Sequence, residues 1–382
     1  QVMHLTTTLW RIAAIYCITS RAFILAKKDT DNCEKPSVDR KSKLFSIFSI
    51  VRFRNDLCSS TDGRNGTCYT TAECSSHSGV SSGSCAAGFG VCCVIERGCV
   101  SSTSLNCTYW KNLDSTTSNC QLTVSKCTPN VCQLRLDFIS LTLAPPNTNG
   151  LCETDQFQVT GGTAPVPSIC GQNSGQHMYI HTGTNAAPCR LNIATNAAFA
   201  ARTFNIKITQ IECCGEYNAP EGCLQWFRTA TGTVMSFNFV ANNQGQHLAN
   251  QDYSICIRME AGYCGVCYSQ CSTTTADFAL SGGVAPVTAP FNSVTDSTAM
   301  MCSMDFLLIP CASATLGPQT TCTRQKFCGG SLNTNGDATP IPIYSYKKPF
   351  IIRFMTDANE PAADVQNRGF CLNFVQQLCT AG

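Results

Sequence analysis

The residue groupings that could do chemistry are few, and each fails on its surroundings. Cys264-Gly265-Val266-Cys267 is a C-x-x-C, with Cys271 close behind. A redox pair of this kind needs a helix N-terminus to depress the thiol pKa, and zinc needs reduced thiolates. The segment is strand-like, so these cysteines read as structural disulfide partners. His177 and His181 share one face of a strand, but four strand residues span about 13 Å, too far to share one ion. They read as packing or edge residues. Gly79-Val80-Ser81-Ser82-Gly83 has the outline of a nucleophile elbow. That motif works on a strand-to-helix turn with a His and an acid beside it, whereas this stretch is a loop between Cys74 and Cys85. No paired-carboxylate, phosphate-cradling or haem pattern appears, so the sequence argues against an enzyme.

What must position these residues follows from composition. The chain has 29 cysteines in 382 residues. A reducing compartment would leave them as reactive thiols, so the secreted, extracellular route is expected. Charged residues make up 13% and the net charge is +2, which gives no electrostatic case for nucleic acid. Residues 1–22 read as a signal peptide, with a short apolar stretch from Ile12 to Ile18 before Ser20-Arg21-Ala22. Two arginines, Arg11 and Arg21, argue against a membrane span there, and no other run is long enough for one. Removing Cys17 with the signal leaves 28 cysteines (29 − 1), an even number that predicts 14 internal disulfides (28/2) and no free thiol. Residues 23–55 form a basic linker or pro-segment, whose apolar end, Leu44 to Phe53, reads as a strand or cover for the next domain.

Residues 56–96 hold Cys58, Cys68, Cys74, Cys85, Cys92 and Cys93 among Ser, Gly and Thr. So few apolar side chains cannot hold a core, so covalent staples must, and spacing alone does not choose their pairing. Asn65 and Asn106 each open a glycosylation sequon. Beyond residue 97 a pattern recurs about 165 residues apart: 191–196 with 202–213, then 352–357 with 368–379. In each copy an alternating strand ends in Thr-Asn or Thr-Asp, and a second strand opens at Arg and closes at Cys. Period-two alternation puts Phe204, Ile206 and Ile208 on one face and Phe370, Leu372 and Phe374 on its counterpart. Further short strands are expected at 121–124, 132–138, 156–160, 178–181, 234–239 and 306–309. The fold class is all-β: two tandem antiparallel β-sandwiches at 97–222 and 223–382, preceded by a small disulfide-rich knot.

The spacing C-x9-C-x5-C-x10-C-x6-C-C over 56–96 resembles the clip domains of invertebrate secreted proteins. That resemblance implies Cys58–Cys92, Cys68–Cys85 and Cys74–Cys93. Gln133–Phe138, Cys152–Phe157 and Cys170-Gly171 before His177–Tyr179 resemble successive strands of a CUB domain, a jelly-roll sandwich. Gly232–Phe239, Cys302–Leu307, Cys328-Gly329 and Arg368–Cys379 resemble a second, more divergent one. The CUB resemblance implies Cys152–Cys170 and Cys302–Cys328, and analogy between the copies adds Cys127–Cys132 and Cys256–Cys264. Cys107–Cys120 and Cys311–Cys322 are added as guesses. Cys33 is left to bridge to Cys99 or, failing that, to join two chains.

Many CUB domains hold calcium through one Glu and two Asp, hard oxygens suited to that ion. The resemblance carries this onto Asp155 in the first copy, with Ala144 near the Glu position and Asn196 at the second Asp. In the second copy it falls on Asp305 and Asp357, with Ser281 near the Glu position. Calcium is therefore a weak expectation, with turn-capping as the other role for these side chains, and no other cofactor is expected. The function that follows is a non-catalytic extracellular protein. It would bind other proteins or itself through CUB-like sandwiches, with homotypic structural assembly as one form. The alternative, motivated by the clip-like segment, is a regulator or pseudo-enzyme cofactor of an extracellular protease cascade.

Overall fold

Alternating apolar residues become strands, which make up 48% of the described residues against 4% for helix, so the protein is all-β. The computed structural model describes residues 52–112, 119–184, 187–196, 201–241, 245–272, 277–280, 302, 304–320, 322, 326–334, 339–358 and 367–379. The expected signal at 1–22, most of the linker at 23–55, Cys33 and Ser281 lie outside these residues.

The knot supplies β1 (Leu57–Ser59), β2 (Asn65–Tyr69), α1 (Thr71–Ser76), β3 (Gly79–Cys85) and β4 (Gly90–Arg97). Helix α1 starts at a capping box, in which the Thr70 side chain accepts from the Glu73 amide and Glu73 reaches back to the Thr70 amide. The first copy follows with β5 (Ser101–Thr103), β6 (Thr108–Lys111), β7 (Asn119–Val124) and β8 (Val131–Thr142). It continues with β9 (Asp155–Thr160), β10 (His177–His181), β11 (Cys189–Thr195) and β12 (Thr203–Glu212). In the second copy are β13 (Cys223–Phe227), β14 (Thr231–Met235), β15 (Asp252–Ile257), β16 (Tyr263–Gln270) and β17 (Phe278–Ala279). Its last strands are β18 (Phe306–Leu308), β19 (Lys326–Phe327), β20 (Ile343–Ser345), β21 (Phe350–Met355) and β22 (Gly369–Leu378).

The knot's sheet does not stop at its own edge. Strand β4 pairs in parallel with β6, so one sheet runs β1-β2-β4-β6-β12-β8-β10 from knot into first copy, with β3 also on β4. The facing sheet is β5-β7-β11-β9. In the second copy β13-β15-β21-β18-β19 faces β14-β22-β16-β20. Rings lock each pair of sheets together: Phe138 meets Phe157 at 5.7 Å in the first copy, and Phe354 meets Phe370 at 5.3 Å in the second. The alternation read from the repeat is the burial pattern of β12 and β22, which turn Phe204, Ile206, Ile208, Phe370, Leu372 and Phe374 inward. The strand expected over 234–239 ends sooner, at Met235, because Asn238 takes a positive φ in the turn that follows.

Eleven disulfides join described cysteines. In the knot the bonds are Cys58–Cys92, Cys68–Cys85 and Cys74–Cys93. Cys152–Cys170, Cys302–Cys328 and Cys311–Cys322 are also formed. Cys127–Cys132, Cys256–Cys264 and Cys107–Cys120 do not form. Cys132 is bonded to Cys213 rather than Cys127, because β8 and β12 are neighbours with Val131 opposite Glu212. Cys127 is itself disulfide-bonded. Cys256 and Cys264 sit on opposite sheets of the second copy. Cys256 reaches Cys223 on adjacent β13, and Cys264 reaches Cys379 at the end of β22. Cys107 belongs to the β6 sheet and Cys120 to the opposite one. Cys120 takes Cys99, which precedes neighbouring β5 by two residues, and this also removes Cys99 as a partner for Cys33. Complete pairing fails as well: Cys107, Cys189, Cys214 and Cys267 are free.

Candidate functional site

The two edges expected to attract calcium are built differently. Asp155 opens β9 and is fully buried. The Arg202 guanidinium clamps it from two sides, Nη2 to Oδ1 at 2.6 Å and Nε to Oδ2 at 2.9 Å, and the Ala144 amide donates to Oδ2 at 2.8 Å. Asn196 turns its amide to the Glu153 carbonyl. The first-copy edge therefore carries its own cation, in the bidentate geometry that suits a carboxylate, where a metal was expected. In the second copy Asp305 is equally buried. Its Oδ1 accepts from the Asp357 amide at 3.0 Å, and its Oδ2 lies 4.0 Å from Nε2 of buried His247. Arg368 stands where the repeat places the counterpart of Arg202. Burial pushes its guanidinium down, and Asp277 offsets part of that. Among the described residues no three His, Cys, Asp or Glu side chains are grouped to hold a metal.

The larger feature is the seam between the copies, which no motif announced. One apolar cluster runs through both sandwiches, and Phe138 of the first meets Phe237 of the second at 6.4 Å. Around it lies a row of polar side chains. Nε2 of His177, on β10, accepts the Trp226 amide of β13 at 3.0 Å. The Gln176 amide donates to Ser236 O, and Gln225 donates to Gln176 Oε1. Asn238 is the pivot: its Oδ1 accepts from the Gln172 amide and its own amide donates to Asn173 Oδ1, both at 2.9 Å. Gly171 makes this approach possible, since its φ is +73° and a Cβ there would lie 1.9 Å from Asn238 Oδ1. His177, read with His181 as a packing or edge residue, packs here against Phe227, and Tyr179 packs against Trp226. His181 lies further along the same face, its Nδ1 3.1 Å from Gln133 Nε2. Burial, reinforced by the charge of Arg135 and partly offset by Asp137, drives the His177 pKa down to about 4.

The remaining expected residues lie apart from the seam. Asn65 sits in strand β2 rather than in a loop, with its carbonyl accepting the Tyr109 hydroxyl. The Asn106 side-chain oxygen accepts the amides of Cys107 and Gln210. Cys267 of the C-x-x-C faces Tyr344 and is a free thiol pushed up by burial. Gly79–Gly83 lies within strand β3, with no strand-to-helix elbow.

Residues 220–377 match the family described as the animal CUB domain. No curated protein matches the chain in sequence. Among solved structures, the CUB1-EGF-CUB2 domains of rat MASP-1 are 14% identical, covering 74% of this chain and 99% of that one with a TM-score of 0.24. The same domains of human MASP-1/3 are 14% identical, covering 70% and 95% with a TM-score of 0.25. The full extracellular region of zebrafish Gpr126/Adgrg6 is 12% identical, covering 75% and 37% with a TM-score of 0.24.

Proposed function

We propose that this protein is a non-catalytic extracellular component that binds other proteins and copies of itself. The premise is the CUB domain at 220–377, a non-catalytic binding module, together with a cysteine content suited to an oxidising compartment. The observation that supports it most is the seam. Two sandwiches that share one apolar cluster do not move independently, so a partner meets a preformed surface and less ordering is needed on binding. The seam also selects the edges. Strands β10 and β13 end their sheets but face each other, bonded through His177 and Trp226. Strand β14 ends its sheet with five residues and exposes Thr231 and Thr233, a template for pairing with a second chain.

The test is light scattering on the secreted protein over a range of concentrations, with and without calcium. The expected result is a mass that rises above the 41.1 kDa chain and falls back when Thr231→Lys and Thr233→Lys blunt the edge. A strict monomer throughout overturns self-assembly. The same reading has residues 1–22 removed on secretion and sugar attached at Asn65 and Asn106, which N-terminal sequencing and glycopeptide mass spectrometry check.

A further inference from the structure

A cleft of about 370 Å³ lies where the knot meets the first copy, between the end of α1 and the loop after β5. Arg97, the last residue of β4, lines it. Its guanidinium donates to two neutral carbonyls, His77 O at 2.9 Å and Glu96 O at 2.8 Å, and to no other described residue. The neighbouring carboxylate, Glu96, is spent on Arg64 and Lys111. A partly buried cation thus faces a cleft with no counterion among the described residues, and burial already weakens its hold on its proton. The walls are hydroxylic: Ser78, Ser102, Ser104 and Ser125 line the space, and their side chains make no hydrogen bond to another described residue. Leu105 is the one large aliphatic side chain there.

That lining selects a ligand class. An arginine with free N–H groups recognises a planar or tetrahedral oxyanion by charge-assisted hydrogen bonds. Unpartnered serine hydroxyls, which donate and accept, match the hydroxyls of a sugar ring. An acidic peptide would bring apolar side chains for which the cleft has only Leu105. The volume exceeds what a lone ion needs and falls within the range of small-ligand sites. We propose that this cleft binds an acidic saccharide, with its sulfate or carboxylate on Arg97 and its hydroxyls on the serines.

Calorimetry on the full chain tests this with four probes: a sulfated uronate disaccharide, its unsulfated form, a neutral disaccharide and inorganic sulfate. At least one acidic disaccharide should bind at least tenfold more tightly than the neutral one and than sulfate. Which acidic form wins assigns sulfate or carboxylate to Arg97. Arg97→Gln should lower that affinity at least tenfold, and higher salt should weaken it. Because Arg97 also tethers the end of α1, Ser104→Asp provides a second variant that keeps the tether, answers the charge from within, and should lose binding similarly. Undiminished binding by both variants, equal binding of the neutral disaccharide, or tighter binding of an aspartate-rich peptide would each overturn the proposal. So would the absence of binding by either acidic disaccharide.

Discussion

Asp155 and Arg202 illustrate how a buried charge is held at the level of single residues. Removing only the cation leaves a carboxylate out of water with one amide for company, which is far costlier than never burying the pair. Arg202→Ala should therefore destabilise the protein by about 3–5 kcal/mol in denaturant melts. The joint change Arg202→Met with Asp155→Asn should recover most of that loss, and equal losses in both proteins would refute the assignment. The thiols make a separate case. Cys214 is exposed, Cys267 is half-buried, and Cys107 and Cys189 are buried, with the Cys189 thiol pushed up to about 11 by its surroundings. Iodoacetamide at pH 8 should label Cys214 first and Cys267 slowly, reaching Cys107 and Cys189 only after unfolding without reductant. Peptide mass spectrometry reads the order, and a chain that stays unlabelled even when unfolded would mean these four are bonded. Parity could not reveal them. An even number of cysteines is as compatible with four free thiols as with none, and only the strand neighbours of each sulfur decide.

At the scale of elements, the strands were legible and their partners were not. Alternation in β12 and β22 is written in side-chain type, so the core faces could be read directly. Disulfides such as Cys264–Cys379 and Cys271–Cys371 join residues 115 and 100 apart. Sheet order alone brings them together. The seam was hidden for a related reason: Gln176, Asn173 and Asn238 look like solvent-facing turn residues until a second sheet covers them. Two predictions belong to this seam. Gly171→Ala places a methyl group on Asn238 and strains a positive φ, so it should cost about 1–3 kcal/mol and split one thermal transition into two. An unchanged single transition would show that the copies are coupled elsewhere. The second concerns pH. His177 titrates at about 4 in the fold against 6.5 as the ordinary value, so between those values the unfolded chain binds more protons than the native one. Its contribution is intact above pH 6.5 and is lost as pH falls toward 4, by about 3 kcal/mol in all. Chemical melts at stepped pH should show that slope, and His177→Gln should flatten it.

At the scale of the whole molecule, covalent and non-covalent cohesion are divided in an informative way. Three disulfides lie within the knot, three within the first copy and five within the second, and none between described residues crosses from one copy to the other. The copies are therefore joined by the chain through 213–222 and by the seam. That connecting stretch carries Glu216, whose side chain is 72% exposed, and the exposed Glu221, so a glutamate-specific protease can cut there without touching the strands on either side. On a non-reducing denaturing gel the nicked protein should run as two fragments, because no described bridge spans the cut. In size-exclusion chromatography at pH 7.5 those fragments should elute together, held by the shared apolar cluster and the Asn238 and His177 hydrogen bonds. At pH 4 the same sample should shift toward separate halves as the His177 imidazole takes up its proton and the seam loses stability. Nicked Gly171→Ala protein should separate already at neutral pH. If the wild-type halves part at pH 7.5, the seam does not hold without the connecting chain, and the rigid pairing behind the proposed binding role fails with it.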